Sequence, residues 1–327
     1  LGGITSKEGG ANAYIEGLDK FIDYKHLIVP RMMIERKKTK NKLLFPIYHT
    51  VNYLKTIEYI KKEIGKKDYK IIHNNCVRSF PKIKNKTVVL TLHHLITAQR
   101  TPSLKEDLLN IIINFPIEKK VIKNSDYIIT VSNLTKKTIL KYFNYPEEKI
   151  KVIPNGVNTE TFYPRKLTEE NFILFPNALR EPVRKGSYFL LPTLKEIVKK
   201  HKIKCIITGK KSKEGTKIEK NLPAEFEYRG LVKIKELSEL YEKAKCVVFP
   251  SLYEGYGLVP LEVISSGGVI LTSDTGAVKD FTKDKKNGFI LPLKEKIWHE
   301  KIEEIIKNKE LRTNIRDNNR QEKVRTW

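Results

Sequence analysis

Short apolar runs of strand length alternate with amphipathic segments of helical spacing almost from one end of the chain to the other, and this alternation constrains the fold more than any other feature. The runs "YKIIHN" (69–74), "TVVLTLHH" (87–94), "YIITVS" (127–132) and "IKVIPN" (150–155) follow an earlier one, "HLIVP" (26–30). Between them lie segments such as "TVNYLKTIEYIKKEI" (50–64), in which Val51, Leu54, Ile57, Ile60 and Ile64 recur at helical spacing. Strands that are apolar throughout and separated by helices imply a parallel sheet covered on both faces. The stretch "NGVNTETFYP" (155–164) carries no apolar period and reads as a linker. The pattern then restarts with "FILFPN" (172–177), a helix over 186–200, "IKCIITG" (203–209), a helix over 233–243, "CVVFPS" (246–251), a helix from near 259, "GVILTS" (268–273) and "GFILP" (288–292). The expectation is an α/β chain of two Rossmann-like, doubly wound parallel-sheet domains, 1–154 and 165–327, joined by a hinge at 155–164. With 327 residues in all, each half is long enough to bury its own core.

A net charge of +25, almost wholly from lysine, creates a field that attracts anions, whether nucleic acid, lipid headgroups or phosphorylated small molecules. Lysine is densest in "RMMIERKKTKNK" (31–42) and "GKKSKEGTKIEK" (209–220). No apolar stretch reaches the roughly 18 residues that span a bilayer. The opening "LGGITSKEGG" reads without a secretory leader, and Cys76, Cys205 and Cys246 are isolated and match no paired metal-ligand spacing. The expectation is a cytoplasmic protein with reduced thiols.

In open parallel sheets ligands sit beyond the carboxyl ends of the strands, so the loops that leave the strands are where chemistry is sought. The loop "LYEGYGL" follows "CVVFPS" and leads into "VPLEVISSG", with Pro260 expected at or near the first helical position. Two glycines let the backbone approach a ligand, and the N–H groups of Gly255, Tyr256 and Gly257 are placed to donate at a helix N-terminus. Glu254 on the loop and Glu262 in the expected first turn of the helix are carboxylates, which accept hydrogen bonds from vicinal hydroxyls such as those of sugars and ribose. The plainer alternative makes Glu262 a helix cap and Glu254 a solvated turn residue. A dinucleotide fingerprint does not fit, because Pro260 stands where the third glycine belongs and the pattern lies deep in the second half. A second loop, "NALREPVRKG" (177–186), offers Arg180 and Lys185 to phosphate oxygens. In the first half Gly9 and Gly10 precede a helical segment, and His93 and His94 end the run "TVVLTLHH", where an imidazole is either structural or a partner for a hydroxyl or phosphate.

Taken in order, "GG" at 9–10, "LTLHH", "ITVSNLTKK", "VIPNGVNTETFYP", "RKG", "FPSLYEGYGLVPLEVISSGG" and "TSDTGAVKDFTKDKKNGFILP" resemble the retaining family 4 glycosyltransferases of the GT-B fold. Glu254 and Glu262 reproduce that family's E-x7-E spacing, with "EGYG" after the first glutamate. The resemblance implies two domains facing across a cleft and a nucleotide-diphosphate sugar as co-substrate, with no other cofactor. It places Arg180 and Lys185 on the diphosphate, with Gly9 and Gly10 near the phosphates, and Glu262 on the ribose. Glu254, Gly255, Tyr256, Gly257 and Leu258 hold the transferred sugar, and Arg229, Gly230 and Leu231 flank the base. His93 lies against the sugar from the acceptor domain and joins Glu254, Arg180 and Lys185 as the catalytic set. The implied reaction moves a hexose-type sugar to an acceptor hydroxyl with retention; the chain has no Asp-x-Asp pair, which agrees with metal independence. The acceptor stays open between a lipid-linked molecule and another glycan, with peripheral contact to an anionic membrane and no specific nucleic acid. The chain departs from the family where only "LGGI" precedes the glycine turn and where it stops at "KVRTW", so it is expected to be clipped at both ends. Two other readings are a sugar- or nucleotide-binding protein with a decayed site, and a basic binder of nucleic acid or membrane surface.

Overall fold

The computed structural model describes residues 58, 61, 62, 70–75, 80–98 and 104–326. Gly9, Gly10, the strand expected at 26–30, the basic patch at 31–42, Cys76 and most of the helix expected at 50–64 lie outside the described residues. The chain divides into two compact units, residues 1–99 with 104–154, and residues 100–103 with 155–327.

In the first unit four parallel strands lie in the order β1 (Ile71–Asn74), β2 (Thr87–Leu92), β3 (Tyr127–Thr130), β4 (Ile150–Val152). Each is a core of the run seen in the sequence. β2 stops at Leu92, so His93 and His94 begin the loop rather than end the strand. Helices α1 (Leu104–Lys123) and α2 (Asn133–Phe143) make the two crossovers from β2 to β3 and from β3 to β4. Right-handed crossovers stepping the same way put both helices on one face. Phe115 of α1 accordingly stacks on Phe143 of α2, with ring centroids 5.0 Å apart. Val88, Leu90, Val121, Ile122 and Ile139 form the centre of this core. The segment "VSNLTKK" starts α2 because the Ser132 hydroxyl accepts the Thr135 N–H, and the helix ends at Asn144 in the left-handed region.

The second unit has six parallel strands in the order β10-β9-β8-β5-β6-β7. These are β5 (Phe172–Pro176), β6 (Lys204–Thr208), β7 (Phe226–Gly230), β8 (Cys246–Phe249), β9 (Ile270–Ser273) and β10 (Phe289–Leu291). The strand β7, "FEYRG", was not among the expected ones: its exposed and half-buried residues give no apolar run, and it forms by pairing with β6. Helices α3 (Ser187–His201), α4 (Lys213–Glu219), α5 (Ile234–Lys243), α6 (Leu258–Ser265), α7 (Val278–Phe281), α8 (Glu295–Lys307) and α9 (Lys309–Gln321) complete it. Ile173, Phe175, Val248 and Leu271 of the sheet pack with Leu194 of α3 and Trp298 of α8. Cys205 and Cys246 are unpaired thiols in this core, and burial pushes both up from their ordinary range. At the C-terminal end, α9 is fastened by Arg312 and Arg316, whose guanidinium groups donate to Glu169 just before β5. No helix of the described residues is long and apolar enough to cross a membrane.

The winding of this sheet locates a site. From β5 the chain steps outward to β6 and β7, then returns to lay β8 on the other side of β5 and steps outward again. The direction reverses between β5 and β8, and the loops leaving their carboxyl ends diverge there to leave a crevice.

Candidate functional site

The loop after β5 begins with Asn177 in the left-handed region and ends with Gly186 at φ 72°, directly before α3. Arg184 O accepts from Leu252 N at 2.8 Å and from Ser251 Oγ at 3.1 Å, tying this loop to the one after β8. The approach is so close that a Cβ on Gly186 would lie 2.0 Å from Pro250 O. Glycine is required there for both conformation and space.

This contact brings charged groups together. Lys185 Nζ lies 2.7 Å and Arg184 Nη1 2.8 Å from the same oxygen, Glu254 Oε1, which also accepts from Ser251 Oγ at 2.7 Å. Arg184 reaches back to Glu181 at 2.5 Å, so four charges alternate along Glu181, Arg184, Glu254 and Lys185. Burial raises the Glu254 carboxyl, and the Lys185 and Arg184 cations outweigh it and hold the group below the usual carboxylate range. Lys185, 9% exposed, is pulled below the usual lysine range by burial, with Glu254 opposing. Its ammonium also sits 5.0 Å over the Phe249 ring. Arg184 opens the segment "RKG" but was given no role from the sequence. Arg180, which was given one, is exposed and makes no side-chain ion pair among the described residues.

The loop after β8 ends at Gly257, φ 95°, and α6 starts at Leu258, which is half-buried. Pro260 is therefore the third helical residue and Glu262 the fifth, about two residues further along than expected, which puts Glu262 in the second turn. Glu262 does not cap the helix. Its Oε2 accepts from the hydroxyl of Tyr241 on α5 at 3.0 Å. Burial pushes the Glu262 carboxyl up to about 7, against the opposing pull of the Tyr241 hydrogen bond and the Lys185 charge. The backbone N–H groups of Gly255, Tyr256 and Gly257 meet no acceptor among the described residues. The loop is held by the one that follows β9: Glu254 N donates to Thr275 Oγ1 at 2.9 Å, and Tyr256 O accepts from Ala277 N at 2.9 Å. The Tyr256 ring packs on Phe281 at 5.5 Å, so this residue offers its backbone rather than its ring. At the end of β7, Arg229 pairs with Glu227 at 2.6 Å, Gly230 has φ 64°, and Leu231 is 57% exposed.

His93 belongs to the first unit, at the carboxyl end of β2. Burial, followed by the neighbouring His94 and His73, pulls its imidazole down to about 4. The ring is therefore neutral at pH 7, with one nitrogen to donate and one to accept. Beside it, His73 Nε2 is 2.6 Å from Thr91 Oγ1.

The second unit thus offers two cations, two carboxylates of different ionisation and three backbone donors, on the loops at one reversal of its sheet. Such a set suits a ligand that is anionic at one end and rich in hydroxyls at the other. Comparison with known proteins places the chain in a family. The model of the family described as Glycosyl transferases group 1 matches residues 158–322, and that of Glycosyltransferase Family 4 matches residues 31–161. The chain is 28% identical to the uncharacterized glycosyltransferase MJ1178 of Methanocaldococcus jannaschii, over 96% of this chain and 89% of that one. It is 30% identical to MJ1607 of the same organism over 49% of its length, a match that spans 45% of that relative. The crystal structure of HepE (Alr3699) of Anabaena, in complex with UDP and glucose, superposes with a TM-score of 0.63 at 16% identity, covering 82% of this chain and 76% of that one.

Proposed function

The chain belongs to the glycosyl transferases group 1, with a family 4 glycosyltransferase first part, and we propose that it moves a hexose-type sugar from a nucleotide-diphosphate sugar to an acceptor hydroxyl. The observation that carries this reading is the Lys185–Glu254–Arg184 contact at the sheet's reversal, beside three backbone donors that meet no acceptor among the described residues. Lys185 and the exposed Arg180 take the diphosphate. Glu262 takes the ribose, and Glu254 with the N–H groups of Gly255, Tyr256 and Gly257 takes the sugar. HepE, of the same fold, binds UDP and glucose, which supports a donor of this class.

When the bond from sugar to diphosphate breaks, positive charge builds on the anomeric carbon and negative charge on the leaving phosphate. Fixed cations and helix N–H groups at that phosphate lower the barrier because they are oriented before the charge develops. In this reading Arg180 and Lys185 supply the charge without a metal, the configuration is retained, and the neutral His93 hydrogen-bonds the transferred sugar from the acceptor-binding unit. The acceptor is a lipid-linked molecule or another glycan. On α1, exposed Leu108, Leu109 and Ile112 precede exposed Lys119, Lys120 and Lys123, which favours peripheral contact with an anionic membrane on the cytoplasmic side.

The test is thermal-shift screening against UDP-, GDP- and ADP-sugars, followed by transfer assays with the donor that stabilises most. A ligand at 100 times its dissociation constant adds about 2.7 kcal/mol. No shift with any nucleotide-sugar overturns the proposal. A shift without turnover favours the second reading, a binding protein with a decayed site.

A further inference from the structure

Three polar residues of α1 fall at successive intervals of four: Asn110, Asn114 and Glu118. That spacing lines them up along one face of the helix. Asn110 Nδ2 donates to Ile96 O at 2.8 Å, and Asn114 Nδ2 donates to Asn110 Oδ1 at 2.6 Å. Glu118, 1% exposed, accepts from Ile96 N at 2.5 Å on one oxygen, and on the other from Thr97 N at 3.3 Å and Thr97 Oγ1 at 2.5 Å. Both backbone polar groups of Ile96 are therefore held by one helix face. Leu95, 1% exposed, is anchored in the core just before them. The segment fixed in this way, 95–97, continues directly from His93 and His94.

Stability alone does not account for a carboxylate in that place. Burying a charged or strongly polar group is costly, and a packed apolar side chain of similar size is often as stabilising or more so. What a carboxylate supplies and an apolar group does not is direction, since two oxygens accepting three donors leave the loop one arrangement. We propose that the Asn110–Asn114–Glu118 face of α1 is a positioning device that sets the orientation of the His93 imidazole for sugar transfer. This rests on the role given to His93 under the proposed function, and Glu118 acts through the loop without touching substrate.

The test uses the full chain carrying Glu118→Gln, with His93→Gln alongside to assign the His93 ring signals. In Glu118→Gln one amide nitrogen faces Thr97 N as a second donor, so the backbone amides of Ile96 and Thr97 are expected to exchange with solvent at least tenfold faster. The His93 ring resonances move in the nitrogen-correlated spectrum, and kcat with the donor chosen from the nucleotide-sugar panel falls about tenfold at unchanged donor KM. Asn110→Ala, which removes the Ile96 carbonyl contact and the bond from Asn114 but leaves Glu118 in place, serves if Glu118→Gln does not fold, with the same direction and a smaller effect. Ring resonances and amide exchange that stay as in the wild type in a folded variant overturn the inference. If they move while neither Glu118→Gln nor His93→Gln alters transfer, the positioning stands and the role of His93 falls.

Discussion

Lys185 and Glu254, 69 residues apart in the chain, meet at 2.7 Å through their side chains, each with little exposure to water. Neither partner is equally replaceable. With Lys185 gone, Glu254 keeps Arg184 at 2.8 Å and Ser251 at 2.7 Å. With the Glu254 charge gone, Lys185 loses the only ion-pair partner it has among the described residues. Glu254→Gln is therefore expected to destabilise the second unit by about 3 kcal/mol, the usual result of breaking a buried pair, whereas Lys185→Ala costs about 1 kcal/mol. Both weaken donor binding. Chemical denaturation and titration calorimetry check the two halves of this prediction, and donor affinity of the wild-type order in Lys185→Ala removes the phosphate role.

The parts of this arrangement that were legible in the sequence are those with a local signature. "CVVF" reads as a buried parallel strand because all four residues are apolar, and it is fully buried as β8. The pair Glu254 and Glu262 is legible by spacing with the glycine turn between. β7 was not legible, because Glu227 and Arg229 break any apolar run and its identity comes from a neighbour about 20 residues earlier in the chain. Arg184 and Glu118 were not legible for a related reason: a charged residue on a loop or amphipathic helix looks the same whether it meets water or a buried partner, and only distance in space separates the two. The shift of Glu262 from the first to the second turn came from reading Pro260 as the first helical residue, when Gly257 in the left-handed region lets the helix begin before it.

Glu262 titrates where physiological pH lies, and its effect on binding has a definite sign. Its folded-state pKa is about 7 against an ordinary 4.5. The carboxyl is therefore more protonated in the folded chain than in the unfolded one between those values. The resulting stabilisation, about 3 kcal/mol, is complete below 4.5 and lost as pH rises through 7. Ribose hydroxyls bind best to the ionised form, so donor affinity is expected to rise about tenfold from pH 6 to pH 8. Glu262→Gln flattens this dependence, and Tyr241→Phe moves its midpoint upward by removing the hydroxyl that favours ionisation. Titration calorimetry at several pH values tests it; an unchanged profile in Glu262→Gln excludes this carboxyl as the cause.

His93 gives the opposite dependence in the first unit. Its folded-state pKa of about 4 lies under the ordinary 6.5, so between these values the unfolded chain binds the extra proton. Stability contributed here is present above pH 6.5 and lost as pH falls through 4, by about 3 kcal/mol in total. The stability of the first unit, read by equilibrium unfolding, is expected to fall with pH across that interval more steeply in the wild type than in His93→Gln. Parallel pH profiles for the two proteins count against a buried neutral imidazole at this position.

The closeness of the two loops at the sheet's reversal can be separated from backbone strain by comparing two glycines. Gly186 and Gly230 have nearly the same left-handed backbone, φ 72° and 64°. A Cβ on Gly230 meets nothing nearer than Tyr228 Oη at 3.8 Å, whereas one on Gly186 meets Pro250 O at 2.0 Å. Gly230→Ala should therefore cost the conformational term alone, about 1 kcal/mol. Gly186→Ala carries the same term and must also push the β5 and β8 loops apart, for a total of about 3 kcal/mol or more. Because Lys185 and Glu254 sit on those two loops, Gly186→Ala should also lower donor affinity while Gly230→Ala, with Leu231 next to it, changes affinity only through the base. Denaturation midpoints decide the matter: equal losses in the two variants mean that the loops do not approach as closely as Leu252 N and Arg184 O, 2.8 Å apart, require.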